Sequence, residues 1–296
     1  MNAEFHSGFA AIIGIPNVGK STLLNRMLGQ KISITSKKPQ TTRNRILGIV
    51  HRPFCQIVFI DTPGIHKTHK MLNVRIVDVA LAALGDADLI LMVSDVSESD
   101  PDADRFLIDK LKLQNKPVIL ALNKTDLIKK ALLLNQIDQW RHAFPFEAVI
   151  PVSAKHGSQV DVLINSMASI LPKGPPYFPE DSLTDLPQRF IAAEMIREKA
   201  IRLTGQEIPY SVAVTVESFK TPAKGRLRRI DATIHVERDS HKGIIIGKKG
   251  RKLKQIGESA RKDIEQMLEE RIFLKLFVHV QKNWSRDTKA LRRFGY

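Results

Sequence analysis

Cysteine is almost missing from this chain: Cys55 is the only one in 296 residues. An intrachain disulfide is therefore excluded and nothing points to an oxidising compartment, so Cys55 is expected simply as a small residue near a strand end. Long apolar runs are missing too, none approaching the roughly 18 residues of a membrane span. Residues 1–6 lack the basic-then-apolar layout of a secretion signal, and none is expected. Internal repeats and low-complexity segments are absent. Negative charge is in short supply, the formal net charge being +15. The imbalance is uneven. Residues 1–172 carry 20 Lys and Arg against 15 Asp and Glu, whereas residues 173–296 carry 26 against 16. The second half is thus expected to meet a polyanion, nucleic acid first, although charge alone separates neither RNA from DNA nor either from an anionic membrane surface.

What is present begins with an alternation of apolar runs and helix-period segments. Strands are expected at 10–15, 46–50, 56–60, 89–93, 118–122 and 148–152, the second close enough to the third for a hairpin. Helices are expected at 20–29, 73–84, 101–113, 132–143 and 158–171. This order predicts an α/β domain over 1–172: a mostly parallel sheet with helices on both faces, one antiparallel edge, and ligands beyond the carboxyl ends of the strands. Four prolines between Pro172 and Pro179 end the pattern and favour an extended, semi-rigid connector, 173–186. A smaller α+β domain is expected over 187–283, in the order helix, strand, strand, helix, turn, helix, strand, with a tail at 284–296. Phe190, Met195, Ile196 and Ile201 are candidates for the buried stripe of its first helix.

Gly14-Ile15-Pro16-Asn17-Val18-Gly19-Lys20-Ser21 follows the first strand and opens the first helix. Glycines let the backbone curl so that N–H groups converge on phosphate oxygens at a helix start. Lys20 is expected to reach the outer phosphates and Ser21 to ligate magnesium. Asp61-Thr62-Pro63-Gly64 ends another apolar strand, placing Asp61 toward the magnesium ion and the Gly64 N–H toward the last phosphate. Asn123-Lys124-Thr125-Asp126 selects the base. A carboxylate only accepts hydrogen bonds, and guanine offers Asp126 two donors where adenine offers a lone pair. Asn123 and Lys124 brace that loop, and Ser153-Ala154-Lys155 is expected to give a backbone N–H to the guanine 6-oxo group. In the basic stretch 36–43, Thr42, with Thr41 as second choice, is expected to complete the magnesium shell when the third phosphate is present. The alternative is a basic loop with no metal contact.

These motifs, in this order, resemble the translation-factor-related branch of the P-loop GTPases. The resemblance implies GTP and GDP as ligands, magnesium as cofactor, and catalytic roles for Lys20, Asn17, Thr42 and Gly64. One departure matters: Ile65 stands where Ras-like proteins carry a water-orienting glutamine. Slow intrinsic hydrolysis is therefore expected. Asn17 in such a loop points to potassium stimulation, and loop shaping by its side chain is the equal alternative.

Ile246-Gly247-Lys248-Lys249-Gly250, with a basic helix behind it, resembles the Gly-x-x-Gly loop of a type II KH domain, which clamps single-stranded nucleic acid in a groove for about four bases. Lys248 and Lys249 supply charge, and Arg251, Lys252 and Lys254 either extend the contact or solvate the helix. The bland alternative is a glycine turn with a solvated lysine face. The 224–229 run reads as a charged hairpin turn, Trp284 as packing, and His66 and His69 as solvent-facing. The tail residues 292–296 are left open between packing and base stacking.

Joined by a short linker, the two parts resemble the bacterial ribosome-assembly GTPases that pair a P-loop domain with a KH domain. That likeness implies binding to the single-stranded 3′ end of small-subunit ribosomal RNA and a role in small-subunit maturation. It also implies some peripheral association with the inner membrane, and a cytoplasmic monomer is expected. A second reading is an RNA-binding assembly factor for which GTP is mainly a stabilising ligand. A tRNA-modifying GTPase is disfavoured, since the lone cysteine does not look catalytic and no further domain is present.

Overall fold

The computed structural model describes residues 4–35, 45–62, 84–98, 100–204, 211–220 and 227–294, and structural statements below concern these. The expected helix at 73–84 lies largely outside them. The chain divides into two compact units, the first running to Asp185 and the second from Leu186.

In the first unit the apolar runs form β1 (His6–Ile13), β2 (Ile46–Arg52), β3 (Cys55–Asp61), β4 (Leu89–Asp95), β5 (Val118–Asn123) and β6 (Ala148–Pro151). They pair in the order β2-β3-β1-β4-β5-β6, with only the β2–β3 contact antiparallel. Every residue of β3, β4 and β5 is buried, as expected of strands covered on both faces. The intervening helices are α1 (Lys20–Leu28), α2 (Pro101–Leu111), α3 (Lys130–Ala143) and α4 (Val160–Ile170). Asp100 caps α2, its side chain accepting from the Ala103 N–H at 3.1 Å, with Pro101 at the first helical position.

Strand order reverses at β1, whose neighbours β3 and β4 lie on either side. This is the switch point at which open α/β sheets bind ligands, and the turn after β1 opens there. β1 ends at Ile13 rather than at residue 15. A β-carbon on Gly14 would stand 2.4 Å from the Val93 carbonyl oxygen, so the chain turns at a residue without one.

The proline-rich stretch does not hang free. Pro172 O accepts from Ser7 N–H, and Pro175 O accepts from the Ser7 hydroxyl at 2.6 Å. The fully buried Gln56 amide then holds three backbone groups: Oε1 accepts from Tyr177 N (2.7 Å) and Phe178 N (3.0 Å), and Nε2 donates to Phe178 O (2.7 Å). Ile49 N donates to Leu183 O, and the Phe9 and Tyr177 rings pack 5.1 Å apart. The segment is laced along β1, β3 and β2.

The second unit comprises α5 (Gln188–Arg202), β7 (Val212–Lys220), β8 (Arg228–Val236), α6 (Asp239–Ile246), α7 (Arg251–Leu268), β9 (Ile272–Val280) and α8 (Thr288–Arg293). β8 pairs antiparallel with β7 and parallel with β9. Val214, Ile230, Ala232, Ile234 and Ile272 face a core completed by Ile245 of α6 and Ile256, Ala260 and Ile264 of α7. The stripe expected on α5 is wider than its periodicity showed: every residue from 191 to 201 is buried, Phe190 only partly. Its charged residues tolerate this because they are paired. Arg197 donates to Glu194 at 2.7 Å, and Lys199 meets Asp263 at 2.5 Å.

Candidate functional site

The glycines of the first turn are dictated by geometry. Gly19 has φ 100°, and a β-carbon there would lie 2.3 Å from Asn123 Nδ2. Asn17, at φ 70°, occupies the left-handed region that Asn tolerates better than other side chains do. Lys20 is buried and donates to the Gly14 and Ile15 carbonyls at 3.0 and 2.9 Å, looping over the turn it helps to shape. Burial lowers its pKa to about 8, against the pull of Asp61.

Asp61 ends β3 beside Ile12 of β1. Its Oδ2 accepts from the Ser21 hydroxyl at 2.9 Å and the Ser33 hydroxyl at 2.8 Å. Its Oδ1 is buried with no hydrogen-bond partner among the described residues. Burial raises the Asp61 pKa despite those hydroxyls and Lys20. A dry carboxylate oxygen with capacity to spare beside a serine hydroxyl is a hard-oxygen donor set that fits magnesium. Thr62 anchors the segment by donating to Ile12 O at 2.7 Å.

Asn123 joins two loops. Its Nδ2 donates to Val18 O in the phosphate loop at 2.8 Å, and its Oδ1 accepts from Ala154 N at 2.9 Å. Lys124 sits at φ 65° with its ammonium paired to Asp95 of β4. Thr125 Oγ1 donates to Val152 O at 3.0 Å. Asp126 stays partly accessible, and the Ser153 hydroxyl donates to its Oδ1 at 2.6 Å, holding its pKa below the usual carboxylate range. In the expected triplet the Ser153 N–H goes to Ser158 O and the Ala154 N–H to Asn123. Lys155 is therefore the triplet residue whose N–H is not spent inside the described protein.

The structure thus gathers Gly14, Ile15, Pro16, Asn17, Val18, Gly19, Lys20, Ser21, Asp61, Thr62, Asn123, Lys124, Thr125, Asp126, Ser153, Ala154 and Lys155 at one end of the sheet. Thr42, Pro63, Gly64 and Ile65 lie outside the described residues, as do His66 and His69. Three supports were not read from the sequence. Ser33 bonds Asp61, Asp95 pairs with Lys124, and Arg26 Nε donates to Ala154 O at 3.1 Å while its guanidinium also reaches Lys155 O. Only their positions in space reveal them.

In the second unit, α6 ends at Ile246 and a short turn, Lys248–Gly250, leads into α7. Gly247, Lys249 and Gly250 all have positive φ (70°, 53° and 75°), which turns the backbone sharply between the helices. Lys248 and Lys249 lie at its tip, both exposed, and Arg251 and Lys254 are exposed on the first turns of α7 with Lys252 half-buried. Trp284 is fully buried and donates from Nε1 to Ser211 O at 3.3 Å.

Fold and site together define a P-loop GTPase domain followed by a KH domain. Residues 9–124 match the family described as 50S ribosome-binding GTPase, and residues 207–285 match the KH domain. The chain is 54% identical to GTPase Era of Geotalea uraniireducens over 293 residues, covering 99% of this chain and 98% of that one. It is 49% identical to GTPase Era of Lacticaseibacillus paracasei, with 99% and 98% covered. Among solved structures, a single-residue variant of Aquifex aeolicus Era bound to GDP·AlF4− superposes with a TM-score of 0.94 at 41% identity. Era in complex with MgGDPNP and nucleotides 1506–1542 of 16S ribosomal RNA superposes with 0.94 at 42%, and each structure covers 99% of both chains. The chain belongs to the Era family of GTPases and hydrolyses GTP to GDP and phosphate. Among the described residues no helix is long and apolar enough to cross a membrane.

Proposed function

We propose that this protein is a GTP-operated switch whose second unit binds the single-stranded 3′ end of small-subunit ribosomal RNA during maturation of that subunit. The observation that carries the nucleotide half is Asn123, which ties the phosphate loop to the loop holding Asp126. A guanine base and its phosphates are thereby bound by one connected frame. The RNA half is supported by Lys248 and Lys249 at the tip of a glycine turn, the basic surplus of residues 173–296, and the RNA bound by the related Era complex.

In this reading residues 1–172 hold GTP, 173–186 connect, 187–283 hold RNA through Ile246, Gly247, Lys248, Lys249, Gly250, Arg251, Lys252 and Lys254, and 284–296 form a tail. Asp126 takes the guanine N1–H and 2-amino group, and the Lys155 N–H meets the 6-oxo oxygen. Lys20 exchanges its loop carbonyls for phosphate oxygens. Ser21 and Asp61, with Thr42, hold magnesium, which neutralises charge on the phosphates when bound. Gly64 contacts the last phosphate. Ile65 offers no hydrogen bond to water, so hydrolysis is slow, and Asn17 assists a potassium ion. The protein works as a cytoplasmic monomer, its positive charge favouring peripheral contact with the anionic inner membrane.

Coupling is tested by measuring GTP affinity with and without saturating 3′-end RNA. Linkage requires equal factors in both directions. An unchanged GTP affinity would leave RNA binding without a switch, the alternative in which nucleotide only stabilises the fold.

A further inference from the structure

The solvent face of the second unit's sheet carries a cavity of about 620 Å³, away from the 247–250 turn, bounded by β7, β8, β9 and the end of α8. Register places Thr215, Thr233 and Phe277 abreast, and His235 beside His279. Phe277 is 46% exposed, with the Lys275 ammonium 4.8 Å from its ring centre. Farther along β9, Phe273 is half exposed beneath the Arg229 guanidinium. Accessible rings flanked by cations form the kind of platform on which unpaired bases stack.

The polar wall has a defined proton arrangement. The single hydroxyl hydrogen of Thr215 goes to Glu217 Oε1 at 2.6 Å, so the 2.8 Å contact with His235 Nε2 requires that nitrogen to donate. Burial holds His235 neutral, its pKa lowered to about 4, and its Nδ1 is buried without a partner among the described residues. Glu217 retains acceptor capacity at the cavity, and Arg293 brings a fixed positive charge. An acceptor-only carboxylate, an aromatic floor and a cation complement a base with a donor edge and an adjoining phosphate. A protein partner fits less well, because the centres of protein interfaces are depleted of charge.

We propose that this cavity receives one unpaired base of a bound RNA strand. The base stacks on Phe277 and directs its donor edge to Glu217, while its phosphate meets Arg293 and Lys275. Guanine, with two adjacent donors, is the best match. The site rests on the RNA-binding reading of the second unit but is separate from the lysine-tipped turn.

The test uses full-length protein saturated with magnesium and GDP, so that the nucleotide pocket is filled, and unpaired 30-nucleotide RNAs that are G-rich or G-free. Phe277→Ala should weaken G-rich RNA roughly fivefold or more. Glu217→Gln should reduce the preference for G-rich over G-free strands while thermal unfolding stays unchanged. A strand carrying 6-thioguanosine should crosslink within 273–281, a readout that holds even if a variant folds poorly. The proposal is overturned if both variants fold and keep wild-type affinity and preference, or if every crosslink falls within 244–254. The double change Lys248→Ala, Lys249→Ala separates the two sites. Weakening by that change alone leaves the turn as the RNA site and removes this one; weakening by Phe277→Ala alone does the reverse. If GMP binds the GDP-loaded protein in a Phe277-dependent way while RNA affinity ignores Phe277, the cavity belongs to a free nucleotide and the proposal is likewise overturned. Unchanged RNA affinity in Phe277→Ala, with loss of a protein contact, would make the face a protein interface instead.

Discussion

The Asn123 side-chain amide nitrogen lies 2.3 Å from the position that a β-carbon on Gly19 would take. The phosphate loop and the base-selecting loop are thus fitted to each other at one atom. Gly19→Ala must displace Asn123 from Val18 O and place alanine at φ 100°, a conformation costing roughly 1–2 kcal/mol. Its GTP affinity should fall at least tenfold by calorimetric titration. Asn123→Ala, which leaves Val18 O and Ala154 N without their partner, should also lower thermal stability.

Asp126→Asn tests base selection. The substitution keeps the Ser153 contact possible but replaces one acceptor oxygen by a donor. Charge-assisted hydrogen bonds contribute about 1.5–3 kcal/mol each. GTP affinity should fall on the order of a hundredfold, and xanthosine triphosphate, whose 2-oxo group accepts, should bind better than GTP. Unchanged guanine preference would remove Asp126 from its assigned role.

Asp104, in the first turn of α2, has its pKa raised to about 6 by burial and then by the charge of Asp100. A carboxyl raised in the folded state stabilises it at low pH and loses that contribution as pH climbs from the unfolded value of 3.8 through about 6. Asp104→Asn should therefore stabilise the fold at pH 7, by about 1 kcal/mol after solvent screening, and change little at pH 3.5. Melting curves at the two pH values decide it.

Two glycines of the KH turn should behave differently. Both have positive φ, but a β-carbon at Gly247 would stand 2.7 Å from Lys252 Cβ, whereas at Gly250 nothing lies within 4 Å. Gly250→Ala should cost only its conformational penalty, roughly 1–2 kcal/mol. Gly247→Ala should cost more and also disturb the start of α7, weakening RNA further. Denaturant titration and filter binding compare them directly.

Gln56→Leu removes the amide that holds Tyr177 and Phe178. Three part-buried backbone hydrogen bonds lose their partner, at about 1–3 kcal/mol for each group that water does not reach. Limited proteolysis should then cut near residues 175–180, where the unaltered protein resists.

Local chemistry made much of this legible beforehand. The phosphate loop needs contiguous residues, so Gly14 to Ser21 could be read directly, and β5 at Val118–Asn123 starts where its apolar run placed it. Supports contributed from far along the chain left no such trace. Arg26 meets Ala154 across 128 positions and Gln56 meets Tyr177 across 121. The full burial of α5 was hidden for a related reason: Glu194, Arg197, Glu198 and Lys199 read as a wet face until their ion partners are seen. β1 starts at His6, earlier than its apolar run, because its parallel register with β3 reaches back to His6 beside Cys55, where His6 and Ser7 also bond to the chain at 171–175.

Trp284, Leu291 and Phe294 are all buried, and Phe294 packs on both Trp284 and His235. The segment from α8 to Phe294 is therefore a stopper over the middle strand β8, not an appendage. A protein trimmed after residue 283 would uncover His235 and the mouth of the base-sized hollow at once, so shortening it would remake that surface.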